Sequence, residues 1–247
     1  MTRSTSRITT AIPGLRRCFP LRKELFKKAL FVLECSRIPE GEWAIGGGVA
    51  LELRFHHRES RDVDVFVTNA QYLLLITPRL NREVFSAVAD YTESSNFLKL
   101  KFQEGEVDFI VAPRLTENPC ETLKLWGKKV NIESPEEVVL KKLFYRAEAL
   151  KARDVVDVAA VYENRRDVLL RFAHLLGPRI ETISRRWDKL KEFYEKEAEG
   201  LEVLDTDLLK RAPLLFEEFL REVRKRIALE EKLLKQGRSC RSNKTQP

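Results

Sequence analysis

The sequence contains no apolar run long enough to span a membrane, and its first residues lack the apolar core of a signal peptide. It has only four cysteines, none of which pairs with another at the spacing of a metal site: Cys18, Cys35, Cys120 and Cys240. Scattered cysteines of this kind predict reduced thiols and a cytoplasmic protein. The sequence also has no internal repeat and no low-complexity tract. These absences argue against a membrane protein and against a disulfide-stabilised secreted domain.

The composition is that of a protein with a buried core. Apolar residues make up 43% and charged residues 34% of the 247 positions, which is not the composition of a disordered chain. The length suits one domain or two small ones. The net charge of +7 is concentrated in residues 1–37, which hold nine Lys and Arg residues and two acidic ones. A basic segment beside a neutral body predicts an anionic partner such as nucleic acid, with a merely solvated terminus as the alternative.

Three consecutive glycines, residues 46–48, lie between a short apolar strand and a helical segment. The strand is predicted over Trp43–Ile45 and the helix over Val49–Phe55. Glycines before a helix allow backbone N–H groups to approach a phosphate group, and the helix dipole favours the negative charge. The pattern therefore predicts a phosphate-binding turn.

Two carboxylates open the strand predicted over residues 62–67. Because strand side chains alternate between faces, Asp62 and Asp64 point the same way. Like charges on one face are costly unless a cation neutralises them. Magnesium often binds one or two carboxylates together with substrate phosphates, so this pair predicts a metal site beside the glycines.

A β-hairpin is predicted further along the chain. Residues 97–102 alternate between apolar and polar, Glu104-Gly105 supplies a turn, and residues 106–111 return as the partner strand. Asp108 lies on the returning strand between apolar neighbours. Taken alone, it is an ordinary surface residue of a half-buried strand.

The second half of the sequence is predicted to be helical. Ser134 as N-cap, Pro135 at the first helical position and Glu137 as the partner in a capping box predict a helix that runs to about Leu150. This helix carries Lys141 and Lys142. A second helix begins near residue 152 and carries Asp154 and Asp157, which share one face because they are three residues apart. Ordinary ion pairs between the two helices are the plain interpretation.

The remaining segments give weaker signals. Residues 69–91 are predicted to be a helix interrupted at Thr77-Pro78, and Pro113–Asn131 is predicted to be a connector. Helices are expected over residues 167–176, 179–198 and 205–236, the last of which packs within the chain or binds an antitoxin. The expected organisation is a flexible basic segment (1–20), a core (21–115), a helical domain (130–236) and a disordered tail (237–247).

The order Gly-Gly-x-Ala-Leu, apolar helix, His-Arg-x-Ser-x-Asp-x-Asp resembles the nucleotidyltransferase superfamily. More closely, it resembles the AbiEii/AbiGii toxin group, which has a DNA polymerase β-like core. The matching positions are Gly47, Gly48, Ala50, Leu51, His57, Arg58, Ser60, Asp62 and Asp64. The block with Lys142, or its rival Lys141, followed by Arg153-Asp154-x-x-Asp157 also resembles that group. The resemblance implies an α+β fold: a nucleotidyltransferase-like mixed sheet with helices, followed by a helical C-terminal domain.

The resemblance also implies an activity. The expected reaction moves a nucleotidyl group from a nucleoside triphosphate to an acceptor hydroxyl, with tRNA as the acceptor and an antitoxin as a protein partner. Asp62 and Asp64 would hold Mg²⁺, or Mn²⁺ as the alternative. Asp108 would complete that site or accept the proton of the acceptor. Gly47 and Gly48 would donate backbone hydrogen bonds to the phosphates.

The helical block implies further roles. Lys142 would neutralise charge that develops on the phosphates. Asp154 or Asp157 would orient that lysine or contact the nucleotide. Ser60 and Arg58 stand next to the site, and Arg58 would either bind phosphate or form an ion pair with a neighbouring carboxylate, that of Glu59 or Asp62.

One position departs from the family pattern. The residue after the paired glycines is usually Ser or Thr, but here it is Val49, which cannot bond to a phosphate oxygen. This departure keeps a second hypothesis open, a catalytically inactive nucleotidyltransferase fold that binds RNA or regulates another protein. A third hypothesis is a metal-dependent phosphodiesterase or nuclease, in which the carboxylates would act and the glycines would be idle.

Overall fold

The computed structural model describes the backbone of residues 20–242 and the side chains of residues 23–233. The expectation of a flexible basic segment therefore lies almost entirely outside the described residues, as does Cys18. The chain divides into two compact units, Met1–Val138 and Val139–Pro247. We describe each unit by itself.

The first unit is built on a mixed seven-stranded sheet. Strand order across the sheet is β3-β4-β5-β2-β1-β7-β6. β2 is parallel to β5 and β1 is parallel to β7, whereas the other neighbours are antiparallel. The strands are β1 (Trp43–Gly46), β2 (Val63–Val67), β3 (Asp90–Glu93), β4 (Phe97–Phe102), β5 (Gly105–Val111), β6 (Cys120–Leu125) and β7 (Lys128–Glu133).

Helices cover the apolar face of this sheet. The helices that lie wholly in the first unit are α1 (Pro20–Cys35), α2 (Gly47–Phe55), α3 (Gln71–Ile76) and α4 (Arg82–Ala87). Helix α1 packs on β2 and β5. Along β2 the valines are buried while the residues between them are half-buried, so the sheet has one core face and one open face. The predicted α+β fold with a mixed sheet is confirmed.

Two segments of this unit differ from the sequence prediction. The expected connector, Pro113–Asn131, contains β6 and most of β7, which form an edge hairpin with Trp126 and Gly127 at positive φ values of 47° and 87°. The expected helix over residues 69–91 is two short helices, and its end belongs to edge strand β3. Edge strands bury few side chains, so their apolar alternation is weak.

The N-terminus of α5 (Pro135–Tyr145) confirms half of the predicted capping box. The Glu137 N–H donates to Ser134 Oγ at 3.3 Å, as an N-cap requires. The Glu137 carboxylate, however, does not complete the box with the Ser134 N–H, which donates to the Pro119 carbonyl. That carboxylate instead accepts hydrogen bonds from the Leu115 and Thr116 N–H groups and from Thr116 Oγ1. Glu137 therefore fixes the chain that leads into β6.

The second unit is helical, as predicted. Helix α5 crosses the division between the units and ends at Tyr145, earlier than expected, with a 3₁₀ turn at residues 147–149. The segment predicted as separate helices around residue 165 is one helix, α6 (Ala152–Leu170), with non-helical angles at Arg165. It is followed by α7 (Ile180–Leu190), α8 (Tyr194–Ala198) and α9 (Thr206–Ser242).

The long helix α9 packs on α6 inside this unit. Its buried side chains repeat at helical spacing, and Phe219 meets Tyr162 of α6 with ring centroids 5.7 Å apart. The predicted packing of the last helix within the chain is confirmed. Helix α9 also continues through Ser242, so residues 237–242, which were expected to be disordered, are helical. Residues 243–247 lie outside the described residues.

Two further expectations concern membranes and thiols. Among the described residues, no helix is long and apolar enough to cross a membrane. Among the described side chains, Cys35 and Cys120 form no disulfide, which agrees with the predicted reduced thiols. Burial raises the pKa of the Cys35 thiol to about 11, and a hydrogen bond with the Glu83 carboxylate adds to the shift.

Candidate active site

The open face of the sheet carries a row of side chains from neighbouring strands. Asp64 on β2 is the direct partner of Asp108 on the parallel strand β5. Asp108 is in turn the partner of Lys99 on β4, and Asp64 is the partner of Gly46 on β1. Residues that are paired across strands point to the same face, so the predicted carboxylates Asp64 and Asp108 lie side by side.

Asp62 joins these two carboxylates from the residue just before β2. Its charge is close enough to affect Asp108, whose pKa is raised first by burial and further by the negative charges of Asp62 and Glu106. The Lys99 ammonium opposes this shift. The structure thus brings together the three candidate aspartates of the first unit, Asp62, Asp64 and Asp108.

Lys99 was not selected from the sequence. Its Nζ lies 2.9 Å from Asp108 Oδ1 and 3.1 Å from Oδ2, and 2.6 Å from Glu106 Oε2. Burial alone would lower the pKa of Lys99, but hydrogen bonds to Glu106 and Asp108 raise it well above its ordinary range. The third aspartate is therefore bound to an internal cation.

Gly47 lies directly beneath the Asp64 carboxylate. A Cβ atom at this position would overlap that carboxylate, at 2.6 Å from its Cγ atom. Gly47 also has φ of +63°, a conformation that side chains other than glycine rarely adopt. Both constraints require glycine here, and together they hold the start of α2 against Asp64.

The next glycine is in contact with the loop that precedes β2. A Cβ atom at Gly48 would lie 2.6 Å from Ser60 Oγ and 2.8 Å from an Arg58 guanidinium nitrogen. Arg58 donates a hydrogen bond to the Glu59 carbonyl at 3.0 Å. The four residues predicted to bind nucleotide in this unit, Gly47, Gly48, Arg58 and Ser60, are therefore brought together around the first turn of α2.

Glu52 and Glu133 also hold this region, and neither was selected from the sequence. Glu52 Oε2 accepts a hydrogen bond from the Ser60 N–H at 2.8 Å, which ties the loop to α2. The Glu133 carboxylate covers Gly46, where a Cβ atom would overlap it. Val49, by contrast, is buried in the core with 1% of its surface exposed. Its side chain packs and offers nothing to a phosphate.

The donor set fits a divalent cation shared with a substrate. Within residues 23–233, no three His, Cys, Asp or Glu side chains are arranged to hold a metal ion by themselves. Asp62 and Asp64 supply hard oxygen ligands, which suits a cation that completes its shell with water and phosphate oxygens. The glycine beneath Asp64 leaves backbone N–H groups where those phosphates would bind.

The second unit contains a separate cluster. Lys142 Nζ on α5 lies 3.1 Å from Asp154 Oδ1 and 3.1 Å from Asp157 Oδ2, both on α6. The two aspartates have no exposed side-chain surface, and that of Lys142 is 9% exposed. Arg146, which was also not selected, contacts Asp154 Oδ1 at 3.4 Å. Lys141, the rival for the family lysine, is buried too.

The register of the β4–β5 hairpin places Lys99 at the site, and the predicted turn was one residue away from the observed one. The observed two-residue turn is Gln103-Glu104, between the paired residues Phe102 and Gly105, whereas Glu104-Gly105 was predicted. Counting back from the observed turn pairs Lys99 with Asp108, but the predicted turn would have paired Lys101 with it. Glu133 and Glu52 offer no comparable signal, because their positions depend on the parallel β1–β7 pair and on a long loop.

With this geometry established, comparison with known proteins identifies the chain. A model of the AbiEii nucleotidyl transferase toxin family of type IV toxin–antitoxin systems matches residues 36–228, which is more than half of the sequence. The chain belongs to this family. This AbiEii protein is therefore a nucleotidyltransferase, which uses a nucleoside triphosphate, and its family role is that of a toxin.

Solved structures with a similar fold include those of two bacterial proteins. JHP933 from Helicobacter pylori is 16% identical, with a TM-score of 0.48, over 93% of this chain and 100% of that chain. MenT4, a nucleotidyltransferase toxin from Mycobacterium tuberculosis, is 15% identical, with a TM-score of 0.45, over 90% of this chain and 99% of that one. No curated protein sequence matches this AbiEii protein.

Proposed function

We propose that this chain transfers a nucleotidyl group from a nucleoside triphosphate to a hydroxyl group of RNA, with Mg²⁺ held at Asp62 and Asp64. The observation that supports this proposal best is the direct pairing of Asp64 with Asp108 on parallel strands, above Gly47. Such a row offers two carboxylates to a cation, a third to a reacting hydroxyl and backbone donors to phosphates.

The proposed chemistry exchanges one phosphate bond for another. The acceptor oxygen attacks the α-phosphorus, a new P–O bond forms, and the bond to pyrophosphate breaks. When bound at Asp62 and Asp64, Mg²⁺ or Mn²⁺ would neutralise phosphate charge and orient the triphosphate. Asp108 would accept the proton of the acceptor hydroxyl, and its raised pKa makes it a better base than an exposed aspartate.

The first turn of α2 would bind the triphosphate. The first N–H groups of a helix have no partner within the helix, and Gly47 and Gly48 carry no side chain that would hold a phosphate away from them. Ser60 and Arg58, which lie over Gly48, would add a hydroxyl and a guanidinium to the same phosphates. This arrangement compensates for the missing hydroxyl at Val49.

For Lys142 we propose contact with the phosphates as negative charge develops on the leaving group. Its support is the pair of buried aspartates within its own unit, which holds the ammonium group in position. Asp154 and Asp157 would accordingly act on the lysine and not on the nucleotide. Lys141 is the alternative phosphate ligand.

RNA is the proposed acceptor because the chain is basic overall and its positive charge is concentrated in residues 1–37. Within RNA, the resemblance to the toxin group favours tRNA. Membership of a toxin–antitoxin family also supports a protein antitoxin as the natural partner.

The decisive experiment mixes the protein with each α-labelled nucleoside triphosphate, Mg²⁺ and total tRNA. Wild type is compared with Asp64→Asn and with Asp90→Asn, a control aspartate that forms an exposed ion pair with Lys101 on the same sheet. We expect label on RNA with wild type and with Asp90→Asn, and a loss of about 1,000-fold with Asp64→Asn.

Other outcomes would assign a different function. RNA binding that ignores Mg²⁺ and survives Asp64→Asn, with no label transferred, would support the RNA-binding hypothesis that Val49 raises. Shortening of the RNA without any nucleoside triphosphate would support a nuclease. Each result would contradict nucleotidyl transfer to RNA.

A further inference from the structure

Lys99 differs from the other lysine on the same strand. β4 carries Lys99 and Lys101 on its open face, two residues apart. Lys101 forms an ion pair with Asp90 at 2.9 Å, and both side chains of that pair are largely exposed, at 42% and 60%. Lys99 is 28% exposed and contacts two carboxylates, those of Asp108 and Glu106. The two lysines therefore lie on the same face of the same strand but neutralise different carboxylates.

The position of the Lys99 ammonium matters because of what surrounds it. Lys99 Nζ donates a hydrogen bond to Asp108 Oδ2 at 3.1 Å and lies 2.9 Å from Oδ1 of the same carboxylate, which is the partner of Asp64. A positive charge at this position repels a divalent cation that would bind through the same carboxylate. Glu106, at 2.6 Å, holds the ammonium in place from the other side.

We propose that Lys99 is a positioning residue whose ammonium group serves as a fixed internal cation for Asp108. It holds this carboxylate beside Asp64 and keeps it from binding the exchangeable divalent cation. Divalent cation binding then depends on Asp62 and Asp64 together with the phosphates of the substrate. This inference rests on the proposed function, and it gives a structural reason for Asp108 to act there as the proton acceptor and not as a metal ligand.

The proposal predicts that removal of the Lys99 ammonium group tightens the binding of a divalent cation. Without Lys99, the carboxylates of Asp62, Asp64, Glu106 and Asp108 crowd one face with no internal cation. Cation affinity rises with the number of carboxylates available to the site. Lys99→Met should therefore bind Mn²⁺ about tenfold more tightly than wild type, whereas a lysine with no part in the site should have no such effect.

The experiment titrates the protein with Mn²⁺ in the absence of nucleotide and follows the signal of free Mn²⁺ by electron paramagnetic resonance. Lys101→Met is the matched control, because it removes the same side chain from the same face of the same strand. We expect Lys101→Met to stay within twofold of wild type and Lys99→Arg to keep wild-type affinity. The double variant Lys99→Met with Asp108→Asn should lose the gain in affinity.

Turnover provides a second measurement. Lys99→Met should lower kcat at least tenfold with little change in the KM for the nucleoside triphosphate, because Asp108 is no longer held, and Lys99→Arg should recover most of kcat. Equal Mn²⁺ affinities for Lys99→Met and Lys101→Met would overturn the proposal. If Lys99→Met does not fold, Lys99→Gln replaces it in both measurements. Because the titration uses no nucleotide or RNA, its outcome is independent of whether RNA is the acceptor.

Discussion

Each unit of this protein contains a lysine between two carboxylates, and the two clusters differ mainly in exposure. In the second unit, Lys142 lies between Asp154 and Asp157, whose side chains have no exposed surface. In the first, Lys99 lies between Asp108 and Glu106, whose side chains are 22% and 37% exposed. The carboxylates of the closed cluster are therefore shielded from water, whereas those of the open cluster are partly exposed to it.

The difference follows from the elements that carry the acids. Asp154 and Asp157 are three residues apart on a helix whose neighbours cover that face, so the carboxylates leave water together and require a cation. Asp108 lies on the open face of a sheet, where alternation leaves every second side chain accessible. The comparison shows that one lysine with two carboxylates can be enclosed on helices in one place and left partly open to solvent on a sheet in another.

The largest expected difference between the two clusters is in the free energy of unfolding that is lost when the lysine is removed. Lys142→Met removes the lysine from two buried aspartates, and loss of one partner of a buried ion pair costs roughly 3–5 kcal/mol. Lys99→Met, whose pair is partly exposed, should cost less than about 1 kcal/mol. Urea denaturation followed by tryptophan fluorescence measures both. Equal costs for the two variants would show that exposure does not distinguish the clusters.

Gly47→Ala should have an intermediate effect, because it disturbs the open cluster from below. The new methyl group would overlap the Asp64 carboxylate, and the alanine backbone would have to adopt φ of +63°. We therefore expect the free energy of unfolding to fall by roughly 1–3 kcal/mol. Displacement of Asp64 should also lower transfer activity about 100-fold. Gly41→Ala is the control, because a Cβ atom there meets nothing within 4 Å. Unchanged activity in Gly47→Ala would separate the glycine from the function of Asp64.

The smallest effect concerns the pH dependence of the open cluster. The pKa of Asp108 is raised in the folded chain, so its contribution to stability is present below its ordinary value of 3.8 and is lost as pH rises through the folded pKa. Relative to Asp108→Asn, wild type should therefore become less stable as pH increases from about 3.8, by less than about 1 kcal/mol because Lys99 opposes the shift. Parallel urea titrations at several pH values measure this difference, and the opposite slope would contradict the prediction.

The sequence was sufficient to predict the parts of the site that depend on local periodicity. The shared face of Asp62 and Asp64 follows from strand alternation, and the position of Gly47 at a helix start follows from its neighbours. The hairpin that carries Asp108 was also predicted, although its turn lies one residue before the predicted Glu104-Gly105. The adjacency of Asp64 and Asp108, by contrast, depends on a parallel pairing between strands about 40 residues apart, and only the family resemblance suggested it.

Long-range pairing also explains what the sequence did not predict. The hairpin of β6 and β7 was missed because β6 lies at the sheet edge and buries only Leu123 and Leu125. Glu137 has the spacing of a capping box, but the Leu115 and Thr116 N–H groups bind its carboxylate instead. In both cases a partner distant in sequence determined a structure that local rules assign differently.

The three glycines at the start of α2 have a consequence for the genetics of this protein. Gly46, Gly47 and Gly48 each lie under a different polar group, namely Glu133, Asp64, and Ser60 with Arg58. Three neighbouring codons therefore control the contacts of three separate segments, and every missense change at any of them adds at least a Cβ atom. A cell that must survive the toxin can disarm it through many single-base changes within nine nucleotides. Survivors of forced expression should therefore carry substitutions in this triplet more often than in other runs of three residues.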